Sequence, residues 1–125
     1  MKYTVSYEYI DDNKVLVRTF KGNLSLIDIA NCMNHDFKNG KIHHGLIGVV
    51  NNYLAAEIKI EMDDLAKIAA VFTEYQDLML HLKWAVIVDY SIVAVPSIFK
   101  NNNPDFNLQS FTDLSSALRW VEGVS

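Results

Sequence analysis

The side chains able to do chemistry fall into three groups. The first is Asn23, Ser25, Asn51, Asn52, Asp89, Tyr90 and Ser91, a set of amides, hydroxyls and one carboxylate suited to holding the polar end of a ligand. If strands of a parallel sheet close at Asn23, Asn51 and Asp89, these residues gather on one rim beside two helix amino ends, where ligands of such sheets bind. The same residue types also serve as ordinary turns and caps, so the cluster has two readings, a ligand site or plain chain reversal. The second group is His35, Asp36, His43 and His44, which invite a metal. Adjacent residues of an entering strand point to opposite faces, however, and His35 falls off the apolar stripe of its helix, so solvated histidines and no metal are expected. The third is Cys32, which needs a base or a stabilising charge to act as a nucleophile. No sequence neighbour supplies one, and a small buried hydrophobe is the expectation.

The glycines form no dinucleotide, Walker or Gly-x-Ser-x-Gly pattern. The expectation is therefore no cofactor and no catalytic residue.

The elements that must position these groups follow from periodicity. Leu82 to Asp89 is a short apolar run rich in β-branched residues and ended by a polar cluster, and it reads as a buried parallel strand at the sheet's middle. Leu46 to Val50 is a second such run, and the helical pattern between them makes a βαβ unit. Upstream, Tyr3, Val5, Tyr7 and Tyr9 alternate with Thr4, Ser6 and Glu8. Asp11-Asp12-Asn13 supplies a turn, and Val15 to Phe20 alternates back, which describes a hairpin.

Ser25 with Asp28 predicts a capping box at the start of a helix whose buried face is Leu26, Ile29, Ala30, Met33 and Phe37, ending near Asn39-Gly40. Tyr53 to Ile60 mixes strand and helix signals and is expected to be a loop crossing the sheet edge. Leu65, Ile68, Ala69, Phe72 and Met79 predict one second helix, with Asp63 and Asp64 near its amino end. Ser91 can cap a helix over Ile92 to Phe99 that Pro96 must kink, and Asn101 to Pro104 breaks the chain. Phe106 to Phe111 is a last strand. Thr112 then caps a final helix with Leu114, Ala117, Leu118 and Val121 inward.

The 125 residues suffice for one domain, expected over residues 1–125, burying roughly two thirds of the unfolded surface. No apolar run approaches the roughly 20 residues of a membrane span. A net charge of −4 with scattered Lys and Arg leaves no basic stripe, so nucleic acid is excluded as a partner. The first residues lack an apolar signal region, and the single cysteine suits a reducing compartment, which together predict a cytoplasmic address.

The resulting order, ββαβαβαβα, with Ser25-Leu26-Ile27-Asp28, Leu46 to Val50, Leu82 to Asp89 and the closing Phe111 to Trp120, resembles the SpoIIAA-like, or STAS, family. That resemblance implies an α/β fold with a mixed, mostly parallel sheet and flanking helices, and a non-enzymatic regulatory or protein-interaction module. The family's anti-sigma-factor antagonists carry a phosphorylated serine at the start of the helix after the Leu46 strand. Here Val50 to Glu57 holds no serine or threonine, so switching by phosphorylation is not expected. The similar fold of Sec14-like domains offers an alternative, a carrier of a small apolar ligand, and an enzyme of unassigned chemistry is a third class. Finally, right-handed crossovers added in one direction put their helices on one face. The other face of the apolar strands must then be covered by the terminal helix, by Tyr53 to Ile60, or by a second copy in a homodimer anchored by aromatics such as Tyr7 or Tyr9.

Overall fold

The computed structural model describes residues 2–89 and 105–123. They form a five-stranded sheet in the order β1-β2-β3-β4-β5. Strand β1 is Tyr3–Ile10, β2 Val15–Ser25, β3 Gly48–Lys59, β4 Lys83–Ile87 and β5 Asn107–Phe111. Helix α1 is Leu26–Lys38, α2 Leu65–Glu74, α3 Gln76–His81 and α4 Leu114–Glu122, with a 3-10 turn at Met62–Asp64 leading into α2. β1 is antiparallel to β2, and every other pair is parallel. The mixed, mostly parallel α/β architecture expected from the element order is present. The helix expected over Ile92 to Phe99, with its Ser91 cap and Pro96 kink, lies outside the described residues, as does the Asn101 to Pro104 breaker.

Local chemistry explains the first reversals. Asp11, Asp12 and Asn13 all take left-handed backbone angles, with φ of 56°, 56° and 62°, a region that Asp and Asn tolerate better than most residues. Ser25 and Asp28 make the predicted capping box. The Ser25 hydroxyl accepts from the Asp28 N–H at 3.1 Å, and the Asp28 carboxylate accepts from the Ser25 N–H at 2.9 Å.

Several expectations need correction. The middle strand is β3, not the Leu82 run: each parallel strand is added beyond the last, so β4 sits one place from the edge. Tyr53 to Ile60 is not a loop, because β3 continues through it to Lys59. β2 also runs past Phe20, and Lys21 to Ser25 pairs with Ala55 to Lys59, giving both backbones hydrogen-bonding partners. β2 does not alternate at its start either; Val15, Leu16, Val17 and Arg18 are all buried, as befits an interior strand covered on both faces. The single stripe from Leu65 to Met79 is interrupted at Tyr75, whose ring instead stacks on Phe37 with centroids 4.3 Å apart. The cap of α4 is Asp113, one residue later than Thr112, and its carboxylate accepts from the Ser116 N–H at 2.7 Å. Leu114, placed inward by periodicity, is exposed.

The two faces of the sheet are covered differently. Helices α1, α2 and α3 pack on Leu16, Phe20, Val49, Tyr53 and Trp84, in line with the right-handed rule. α4 lies on the opposite face, where Ala117 and Val121 meet Val15, Val17, Val50, Ala85 and Ile87. Gly48 permits the close approach, since a Cβ there would sit 2.5 Å from the Val121 side chain. The terminal helix thus covers the apolar second face of β3 and β4, which asks for no second copy at that place.

Candidate functional site

On the face under α1, one register position runs through three strands. Tyr7 lies opposite Arg18, Arg18 opposite Asn51, and Asn51 opposite Val86. Alternation along β2 puts Arg18 on the same side as Leu16 and Phe20, in the core, where it is 0% exposed. A guanidinium there is tolerable only if it is paired and hydrogen-bonded. Its Nη1–H donates to Asp36 Oδ2 at 2.8 Å, and its Nε–H donates to Asn51 Oδ1 at 2.8 Å. Asp36 is also 0% exposed. It stands in the last turn of α1, where the helix dipole disfavours an anion, so Arg18 is what makes that position acceptable.

The Tyr7 hydroxyl donates to the same carboxylate, 2.8 Å and 3.0 Å from its two oxygens. Cys32, one turn before Asp36, places its sulfur 3.7 Å from Asp36 Oδ2 and 3.8 Å from Arg18 Nη1. The loop leaving α1 is tied to this cluster. The Asp36 carbonyl accepts from the Lys41 and Ile42 N–H groups, Tyr9 donates to the Lys41 carbonyl, and the Lys41 ammonium caps the Tyr7 ring. The outcome is a polar clamp joining β1, β2, β3 and α1.

Its electrostatics favour structure over reactivity. Burial, reinforced by the hydrogen bond to Asp36, holds the Tyr7 phenol well above its ordinary range. Burial pushes the Tyr53 phenol up to about 12, against the lowering influence of Arg18. Burial likewise raises the Cys32 thiol, with Arg18 opposing it only in part. A protonated, buried thiol is a poor nucleophile, which agrees with Cys32 as a small packed side chain.

Beside the clamp the same face is hollow. A cavity of about 90 Å³ lies between the sheet and α1 to α3, with Met33, Ile68, Met79, Trp84 and Val86 in its wall and Asn51 shared with the clamp. Water fills such a space poorly, because each molecule needs two to four polar partners and the lining is almost wholly apolar. Two buried donors of this region have no acceptor among the described residues, Arg18 Nη2 and Trp84 Nε1.

Of the sequence-selected residues that are described, Asn23 and Ser25 share a shallow pocket with Asp28 and Glu57, and Asn51 and Asn52 stand elsewhere along the sheet. Asn51 and Asn52 lie within β3, level with Arg18 and Thr19, and Asn52 Oδ1 accepts from the Leu54 N–H at 3.0 Å. Asn23 pairs with Glu57, on the order of 13 Å further along the sheet. Ser25 is occupied in its capping box. Asp89 follows β4 and is exposed, whereas Tyr90 and Ser91 lie outside the described residues. Asn23 and Asn51 are not level because β2 and β3 both run on past the ends expected of them. Of the histidines, His35 faces Asn39, His43 accepts from the Gly45 N–H, and His44 packs edge-on against His81. Among the described residues no three His, Cys, Asp or Glu side chains come together as a metal site. No motif announces Arg18, yet its period-two alignment with Leu16 and Phe20 marks a buried charge.

No family model matches the sequence, and no curated protein does either. Solved structures do match. An uncharacterised protein of the DUF3478 family with a SpoIIAA-like fold, from Shewanella loihica PV-4, superposes with a TM-score of 0.64 at 15% identity, covering 95% of this chain and 93% of that one. This chain has a SpoIIAA-like fold. An anti-sigma factor antagonist from Mycobacterium paratuberculosis gives a TM-score of 0.62 at 19% identity, covering 96% and 94% of the two chains. The anti-sigma factor antagonist SpoIIAA in its unphosphorylated form gives 0.54 at 11%, covering 97% and 100%. At such identities the SpoIIAA-like fold is what is shared. No helix among the described residues is long and apolar enough to cross a membrane.

Proposed function

We propose that this chain is a non-enzymatic, cytoplasmic regulatory module that acts by binding a protein partner, a second copy of itself being one such partner. The observation that carries this reading is the surface between the end of β3 and the start of α2. It holds Met62, which at 60% is the most exposed large apolar side chain among the described residues. In the antagonists this region opens the helix that carries the phosphorylated serine. Here the helix opens at Met62-Asp63-Asp64, and the stretch from Asn51 to Met62 has a single hydroxyl, that of the buried Tyr53. The module therefore works without a phosphate there. With a purified partner identified from the protein's own cells, Met62→Glu should weaken the complex about tenfold or more and leave stability unchanged. An unaltered affinity, or stoichiometric phosphate within residues 51–62 by mass spectrometry, would remove the reading.

A second reading rests on the cavity. A preformed apolar space of this kind supports a carrier or sensor of a small apolar ligand, which would couple ligand binding to the packing of α1, α2 and α3.

A further inference from the structure

We infer that the outer edge of β1 pairs with the same edge of a second copy of this chain, joining the two sheets across a two-fold axis at Val5. This rests on the protein-partner reading above and names a surface and an occupant for it. β1 ends the sheet order, and among the described residues β2 is its only strand neighbour. The Lys2 carbonyl accepts from the Asn23 N–H at 2.7 Å, and β1 then pairs with β2 from Tyr3 to Ile10 without a shift in register. Alternation in an antiparallel ladder therefore turns the backbone N–H and C=O of Thr4, Ser6 and Glu8 toward β2, and those of Tyr3, Val5, Tyr7 and Tyr9 outward. Edge strands are ordinarily blunted by proline, lysine, a bulge or short length. The opposite edge, β5, has 5 residues, whereas β1 has 8 and contains no proline, lysine or bulge.

The side chains along this edge decide which strand fits it. Two-fold pairing sets one residue against another and the second against the first, and the outward backbone groups meet only where odd-numbered residues face odd-numbered ones. With Val5 on the axis, Tyr3 faces Tyr7, Thr4 faces Ser6, and Lys2 faces Glu8, the carboxylate of β1. Such a ladder makes about six backbone hydrogen bonds between the copies. It also sets tyrosine beside tyrosine on the face carrying α1 and lysine beside glutamate on the other, both favourable cross-strand pairs. Lys2 and Glu8 are exposed and, among the described residues, held in no ion pair. Moving the axis to Ser6 would put Glu8 against Thr4 and Lys2 against Ile10, which forfeits the charge pairing. A second copy satisfies the edge reciprocally, because each chain brings a lysine to the other's glutamate.

The test uses the whole chain, with sedimentation velocity over a dilution series and amide hydrogen exchange followed by NMR. The unaltered chain should form a dimer that dissociates on dilution, and in the dimer the Val5 and Tyr7 amides should exchange more slowly. Val5→Pro removes an outward donor and none that faces β2, and should give a monomer whose amide spectrum stays dispersed. Glu8→Lys should weaken the dimer about tenfold, and adding Lys2→Glu should restore it. A monomer at every concentration overturns the paired edge. If that monomer still binds its partner in a manner weakened by Met62→Glu, the protein-partner reading stands. A dimer that Val5→Pro leaves intact, or one in which the Val5 and Tyr7 amides stay unprotected, overturns the edge as the contact. An unchanged affinity in Glu8→Lys overturns the Val5 register. Protection of these amides only on adding a different chain would overturn the second copy as the occupant. The charge exchange decides the matter even if Val5→Pro fails to fold.

Discussion

The face covered by α1, α2 and α3 contains two neighbouring regions built on opposite principles. Near β1 and β2 it is a polar clamp in which Arg18, Asp36, Asn51 and Tyr7 take up one another's hydrogen bonds at 2.8 to 3.0 Å. Near β4 it is an apolar hollow of about 90 Å³. The difference is one of tolerance. A buried charge admits one arrangement, because every alternative strands a desolvated ion. An apolar wall can close, stay empty or accept an occupant without stranding a charge. The clamp therefore sets how α1 lies on the sheet, and the hollow is where the packing has room to respond.

The largest effect should come from breaking the clamp. Asp36→Ala leaves the Arg18 guanidinium buried without its anion, and urea denaturation should report a loss of about 3–5 kcal/mol. If the pair serves only as filler, Arg18→Met combined with Asp36→Leu should restore most of that loss; retention of the single-variant deficit would mean that the geometry of the pair is itself required.

A smaller loss, about 1 kcal/mol, is expected for Tyr7→Phe, discounted because the ring is partly exposed. This variant also sharpens the comparison through pH. The phenol's pKa is raised in the folded state above its ordinary value of 10.0. The unfolded chain therefore releases that proton first. The contribution of Tyr7 is complete below about pH 10 and is lost as pH rises beyond it. Thermal melts from pH 8 to 11 should fall less steeply for Tyr7→Phe than for the unaltered protein, and parallel curves would refute the assignment.

The smallest effect belongs to the hollow and has the opposite sign. Val86→Phe introduces volume into the cavity and should raise stability by about 0.5–2 kcal/mol. A loss measured in the same melts would mean that the space is not available to an added ring.

Element types were legible because they depend on local rules. The tyrosine alternation of β1, the three consecutive turn residues at Asp11 to Asn13, and the Ser25 to Asp28 capping box each act within a few residues, and each formed as read. Extents were not legible. Tyr53 to Lys59 has no strand signal strong enough to stand by itself and becomes strand because Lys21 to Ser25 lies alongside it. Tyr75 breaks a regular helical stripe where its ring finds Phe37.

The same division separates what the amino-acid order determines from what only the tertiary structure decides. Composition and periodicity determine a mixed α/β chain with an opening hairpin and parallel strands, since these follow from hydrophobic spacing and turn chemistry alone. They also place Arg18 on the core face of its strand. Which residues meet is decided by register. Tyr7, Arg18 and Asn51 are brought level only by pairing of β1, β2 and β3, and Asp36 reaches them only because α1 crosses back over β2. Asn23 and Asn51, drawn together by the order of the chain, are held apart by that same register, because a sheet aligns residues by hydrogen-bonded partners and not by their place at an apparent strand end.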